Sequence, residues 1–172
     1  MKKRQDILLW RIRLLTSFFM VALVISGLTA IPLQWELDVI AKLFGAANVS
    51  PDQASSGFVK WILKVREALH ETNTKFPFLA YGTDWLAFGH IAIAIAFVGA
   101  LRNPVRNIWL FNFGMIACVL IVPWAFIFGG LRGIPVYWRL IDCSFGIFGI
   151  VPLWFCKRWT TELSQLEPGV RF

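Results

Sequence analysis

Leu14-Leu-Thr-Ser-Phe-Phe-Met-Val-Ala-Leu-Val-Ile-Ser-Gly-Leu-Thr-Ala-Ile-Pro-Leu33 is a run of 20 residues without a charge. Coiled at about 1.5 Å per residue it reaches ~30 Å, one hydrocarbon thickness of a bilayer. The basic flank before it, Met1-Lys-Lys-Arg-Gln-Asp6, could open a secretory signal. The run is longer than a signal core and closes on Ile31-Pro-Leu33, with no small-residue cleavage pattern, so an uncleaved first span is the better reading.

Three more apolar segments follow. Residues 85–101 carry one polar intruder, His90, and residues 108–128 interrupt their apolar run only with Asn112 and Pro123. The last apolar stretch, 140–155, contains Asp142 and is long enough to span only if its helix starts near Pro135, a residue suited to the first helical position. The spacing predicts an all-α membrane protein, a four-transmembrane-helix bundle in one domain over 1–172. Its spans fall at about 14–33, 85–101, 108–128 and 135–155.

Composition agrees. Hydrophobic residues make up 58% of the chain and charged ones only 16%, against about 25% in soluble domains, which excludes a disordered chain and argues against a water-soluble globule. The net charge of +7 is then a topological signal and not a nucleic-acid interface. Lys2, Lys3, Arg4, Arg11 and Arg13 precede span 1, Arg102 and Arg106 occupy the turn after span 2, and Lys157, Arg158 and Arg171 follow span 4. The opposite short turn holds only Arg132 and Arg139. Short flanks decide orientation, so both termini are expected in the cytoplasm. Trp10, Trp35, Trp85, Trp109, Trp138, Trp154 and Trp159 fall at span ends, as in an interfacial aromatic belt.

The 34–84 segment between spans 1 and 2 reads as an amphipathic helical outer loop. Leu37, Ile40, Ala41 and Phe44 recur at helical spacing, and Phe58, Trp61, Ile62, Val65 and Leu69 form a second apolar face. Ser55 or Ser56 can cap the second helix, and Pro77 closes the region. Such a helix lies in the membrane interface or lids the bundle.

Ionisable groups inside a span cost about 2.5–3.5 kcal/mol at the helix centre, so each needs a reason. With helix 2 starting at Asp84 as N-cap and helix 4 near Pro135, His90 and Asp142 lie roughly 9–10 Å below the same edge. Arg139 is one turn above Asp142, and Arg132 stands in the adjoining turn. Asp84, His90, Arg132, Arg139 and Asp142 are thus an expected outer-leaflet constellation. His90 and Asp142 are the catalytic candidates, and Asp84, Arg132 and Arg139 are ligand-binding candidates. The competing and favoured reading is structural: Arg139 neutralises Asp142 and snorkels to the interface, and His90 bonds a neighbouring helix. Gly146 and Gly149 share the Asp142 face, and Gly89, Ala92, Ala96 and Gly99 form a small-residue stripe away from His90. On helix 1, Ala22, Ser26 and Ala30 suggest a contact face.

Several chemistries find no residues. A bis-histidine haem needs a second intramembrane His, and His70 is in the loop. Cys118, Cys143 and Cys156 have neither disulfide nor metal spacing, and no GxSxG, HExxH, CxxC or phosphate-loop pattern occurs. No metal and no cofactor are expected, while a bound lipid is compatible with the pattern.

Tyr81-Gly-Thr-Asp-Trp-Leu-Ala-Phe-Gly-His90 and Leu131-Arg-Gly-Ile-Pro-Val-Tyr-Trp-Arg-Leu-Ile-Asp-Cys-Ser-Phe-Gly146 resemble segments of a group of bacterial four-span integral membrane proteins of uncharacterised activity. The resemblance implies a bacterial inner-membrane setting and no activity. The plan of one span, an amphipathic loop and three spans is also similar to that of DoxX-like proteins, an analogy of architecture alone. Two functions are carried forward. One is a non-enzymatic accessory or scaffold subunit of a larger membrane complex, or a hydrophobic-ligand binder, with lipid and other membrane subunits as partners. The other is a small membrane enzyme acting on a lipid or quinone through His90 and Asp142.

Overall fold

The computed structural model describes residues 2–166, and every regular element among them is helical. These are α1 (Lys2–Thr29), α2 (Leu33–Leu43), α3 (Gly57–Lys75), α4 (Tyr81–Ala96), α5 (Val98–Arg102), α6 (Ile108–Leu131) and α7 (Val136–Leu166). Single 3-10 turns occur at Pro51–Gln53 and Pro77–Ala80. Four stretches are long and apolar enough to cross a membrane: Lys2–Thr29, Pro77–Arg102, Ile108–Leu131 and Val136–Leu166. The expected spans are found, with different ends.

The differences have local causes. The helix of span 1 already begins at Lys2, because Lys, Arg and Gln are good helix formers and continue the coil beyond the apolar run. It stops at Thr29 and not at residue 33, since Pro32 disfavours a helical residue before it. A new helix, α2, starts directly after that proline. Asp84 is not an N-cap: the Pro77–Ala80 turn runs straight into Tyr81, which leaves Asp84 in the first turn of α4. Span 2 is interrupted at Phe97, yet Phe97 N–H still donates to the Ile93 carbonyl and Leu101 N–H to that of Phe97. Helix α7 passes through Pro152 and runs on to Leu166.

The chain divides into two compact units, one formed by residues up to Ala22 together with those from Ile93 onward, the other by Leu23–Ala92. In the first, Ile12, Phe97, Phe111, Leu153 and Leu163 are fully buried. Glycines bring α6 and α7 together: a Cβ at Gly146 would lie 2.5 Å from the Cys118 carbonyl oxygen, and one at Gly114 2.7 Å from Leu153 Cδ1. Gly149 likewise faces Cys118, with Sγ 2.9 Å from where its Cβ would be. The sequence therefore placed Gly146 and Gly149 on a true contact face. Its face on α1 is displaced, because Ala22 is exposed and the buried stripe in this unit runs Leu8, Ile12, Thr16. The Thr16 hydroxyl lies 3.7 Å from Cys156 Sγ, which also reaches the Ile12 carbonyl.

In the second unit, α2 and α3 pack through Ala41, Ala46, Val59 and Leu63. Ser56 caps α3 by accepting from Val59 N–H at 3.2 Å, a contact worth about 1 kcal/mol. The inward face of α3 is Val59, Ile62 and Leu63. The expected face, Phe58, Trp61, Ile62, Val65 and Leu69, shares only Ile62 with it. Turning the helix this way seats Val59 and Leu63 on the small Ala41 and Ala46, and it brings Arg66 within reach of α2.

Candidate functional site

The five candidate residues divide between the two units, and each is described in its own. In Leu23–Ala92, His90 packs against α1: a Cβ at Gly27 would lie 2.7 Å from His90 Cβ and 3.1 Å from the Ala87 carbonyl. This side of α4 is therefore a helix contact, whereas Gly89, on the expected small-residue stripe, has nothing near it. His90 Nδ1 is 2.8 Å from the Leu86 carbonyl of its own helix and not of a neighbour. A carbonyl only accepts, so Nδ1 carries the proton, and Nε2 is the nitrogen left for other contacts. Asp84 is exposed at the start of α4.

In the other unit, Arg139 does not pair with Asp142. Its Nε donates to the Ile134 carbonyl at 2.7 Å, and its stem lies across Gly129, whose Cβ would meet Arg139 Cδ at 2.9 Å. Arg139 thus clasps the turn between α6 and α7, satisfying a carbonyl outside either helix's regular bonding. Arg132 is exposed at the C-terminus of α6. Asp142 is half-buried, and the ion pairs among the described residues, which are Arg4–Glu162, Lys60–Asp52, Arg66–Asp38 and Lys75–Glu71, do not include it. The expected Arg139–Asp142 pair is corrected accordingly: the nearby carbonyl competes for the guanidinium and wins because it sits in the turn the side chain already crosses. Cys118, Cys143 and Cys156 are buried and free, and no His/Cys/Asp/Glu group able to hold a metal occurs among the described residues.

A different polar cluster, which the sequence reading did not single out, is assembled by α2 and α3. Arg66 Nε lies 2.5 Å from Asp38 Oδ1, and Nη1 donates to the Ala47 carbonyl at 3.0 Å. The Arg66 hydrogen bond holds the Asp38 carboxyl below the usual carboxylate range, and it outweighs the opposing effect of desolvation. The Gln34 side chain acts on the same carboxylate in the same direction, so its NH2 end faces Asp38. Gln34 Oε1 is buried and has no hydrogen-bond partner, and the same holds for Asn73 Oδ1. Both residues line a cleft of about 380 Å³, at the lower end of the roughly 300–1,000 Å³ range of small-ligand sites. Asp38, Thr72 and Thr83 add polar edges, while Ile31, Leu69 and Leu79 give it apolar walls and Trp35 stands at its rim. Thr83 already donates its proton to the Ala80 carbonyl at 2.6 Å, so only its lone pairs remain.

The signal for this cleft in the sequence was weak. Gln34 and Asn73 are ordinary polar residues on amphipathic helices. The pairing of Asp38 with Arg66 joins positions 28 residues apart, which no local periodicity reveals. No family model, curated protein or solved structure matches this chain, so the reading of the site rests on its own geometry.

Proposed function

We propose that this is a non-enzymatic multi-pass protein of a bacterial inner membrane, with both termini in the cytoplasm, that works by binding a hydrophobic ligand of the bilayer. The observation that carries this reading is the α2–α3 cleft, with apolar walls and buried amide oxygens that nothing in the chain satisfies. Buried polar atoms in folded proteins are almost always paired, so two orphans in one cleft favour an external partner. The alternative of a lipid- or quinone-modifying enzyme draws less support: Arg139, expected to bind an anionic group, has its Nε taken by the Ile134 carbonyl.

The test is native mass spectrometry of the full chain in mild detergent. A retained lipid or other hydrophobic ligand, lost on Arg66→Ala and kept on His90→Gln, is the expected result. Turnover of a lipid or quinone that disappears in His90→Gln would replace binding by catalysis. Orientation is tested separately. Gln53→Cys should react with an impermeant thiol reagent added outside cells, with little background because Cys118, Cys143 and Cys156 are buried. Labelling only in inverted vesicles overturns it.

A second reading, an accessory or scaffold subunit of a larger membrane complex, is favoured by one feature. Helix α6 exposes Trp109, Phe113, Ile116, Leu120 and Trp124 at helical spacing. A partner helix would use this stripe, and native electrophoresis of an α6 variant with Ile116→Ser and Leu120→Ser then shows a smaller assembly.

A further inference from the structure

We infer that the α2–α3 cleft recognises a primary ammonium group, carried by the headgroup of a membrane aminolipid. The inference rests on the binding function proposed above and names the chemistry of the ligand.

The argument starts from donors and acceptors. Gln34 Oε1 and Asn73 Oδ1 are acceptors without a partner. The Asp38 carboxylate is ionised and accepts only, and Thr83 has already given its proton to Ala80. These four residues all line the same cleft. Thr72, the other hydroxyl on the lining, can turn a lone pair to the cleft, so a ligand hydroxyl would bring its own lone pairs to a wall rich in acceptors. A primary ammonium brings three N–H donors and no acceptor, which matches. A quaternary ammonium carries the same charge and no N–H, so it leaves both amide oxygens unsatisfied. Arg66 does not cancel the preference, since it is not among the residues that line this cleft and its Nε and Nη1 point to Asp38 and Ala47.

The level of the cleft along the chain points to a lipid as the carrier. Ala30, Ile31 and Pro32 directly follow the candidate span Lys2–Thr29, and Leu79, Ala80 and Thr83 lie in the first residues of the candidate span Pro77–Arg102. Both sets of residues therefore belong to span ends, where headgroups are, and Trp35 at the rim is the residue type enriched at that depth. The apolar walls suit the glycerol end of such a molecule.

The experiment uses the full chain in nanodiscs of phosphatidylglycerol, titrated with phosphatidylethanolamine or with phosphatidylcholine of the same acyl chains. Bound lipid is counted by native mass spectrometry. Phosphatidylethanolamine should be retained at least about tenfold more tightly than phosphatidylcholine, the factor that one hydrogen bond of ordinary net strength supplies. Asn73→Leu should erase that preference, and Asn73→Asp, which puts a full charge where the amide oxygen stands, should increase it. Helical content by circular dichroism shows that each variant is folded. If Asn73→Leu fails to fold, the gain in Asn73→Asp alone decides. Soluble ethanolamine is the second arm. Failure to compete supports the lipid as carrier, whereas full competition at equal concentration overturns the lipid and moves the site to a free amine. Equal retention of the two lipids, preference for the anionic background lipid, or a loss in Asn73→Asp overturns the ammonium assignment. In each of these three cases lipid retention itself still reports on the binding function, which fails only if no ligand is held at all.

Discussion

The two compact units are held together by different physics. In the unit built from the first part of α1 and residues after Ile93, order comes from close approach at glycines: Gly146 meets the Cys118 backbone, and Gly114 and Gly149 admit the Leu153, Phe97 and Cys118 side chains. Its polar side chains bond both locally, as Arg139 does to Ile134 and Ser144 to Ile141, and across the unit, as Arg4 does to Glu162 and Thr16 to Cys156. In Leu23–Ala92, α2 and α3 meet through a small apolar cluster supplemented by a long-range polar contact, Asp38–Arg66. This arrangement leaves amide oxygens over. The difference teaches where specificity can reside. Thr160 Oγ1 in the glycine-ordered unit is also buried without a partner, but only the residues left over in the polar helix contact, Gln34 and Asn73, line the α2–α3 cleft.

Filling a glycine contact should have the largest effect. Gly146→Leu would force side-chain atoms against the Cys118 carbonyl, a backbone atom that cannot rotate away, and should cost about 3 kcal/mol. Unfolding of the detergent-solubilised protein in SDS measures this. Gly89→Leu, in open space on α4, is the control. If both variants unfold at the same SDS fraction, close packing is not what orders that unit.

The polar contact ranks next. Arg66→Ala removes a charged hydrogen bond from a carboxylate that is about one-third exposed, and should cost about 1–2 kcal/mol. The damage should be local: limited proteolysis between Phe44 and Ser56 speeds up while the α6–α7 contact stays protected. Uniform acceleration across the chain would erase the distinction between the units.

Acid should act on the same unit. The Asp38 carboxyl has a folded-state pKa below its unfolded value of about 3.9, so its contribution is present above that value. It is lost as pH falls through the lower, folded-state value. Hydrogen exchange of α2 and α3 should therefore rise selectively below about pH 3.9 in the native protein, and Asp38→Asn should remove the pH dependence. An unchanged profile in that variant would assign the transition to other carboxylates.

The smallest expected effect concerns Asp142 and Arg139. Arg139→Gln loses the Ile134 contact and should cost about 1 kcal/mol. Asp142→Asn removes a charge that no basic side chain neutralises and should leave stability within about 0.5 kcal/mol of the parent or raise it slightly. The double variant should be additive. A coupling above about 0.5 kcal/mol would show that the two side chains interact after all.

The sequence by itself determined the number of candidate spans, the two helices of the 34–84 segment, a serine cap at residue 55 or 56 and the Gly146/Gly149 contact face. All of these follow from quantities local in the chain: apolar run length, 3.6-residue periodicity, a hydroxyl before a helix, small residues four apart or less. Tertiary structure alone decided which side of α3 turns inward, which face of α4 meets α1, and where Arg139 and Arg66 find partners. A helix with apolar residues on more than half its circumference has several acceptable contact faces, and the neighbour's shape selects among them. Ala41 and Ala46 did so for α3, and Gly27 for the His90 side of α4. A guanidinium four bonds from its backbone reaches many acceptors, so local spacing to a carboxylate does not fix its partner. The cleft lay beyond sequence reading for the same reason, since Gln34 and Asn73 become an acceptor pair only when α2 is folded against α3.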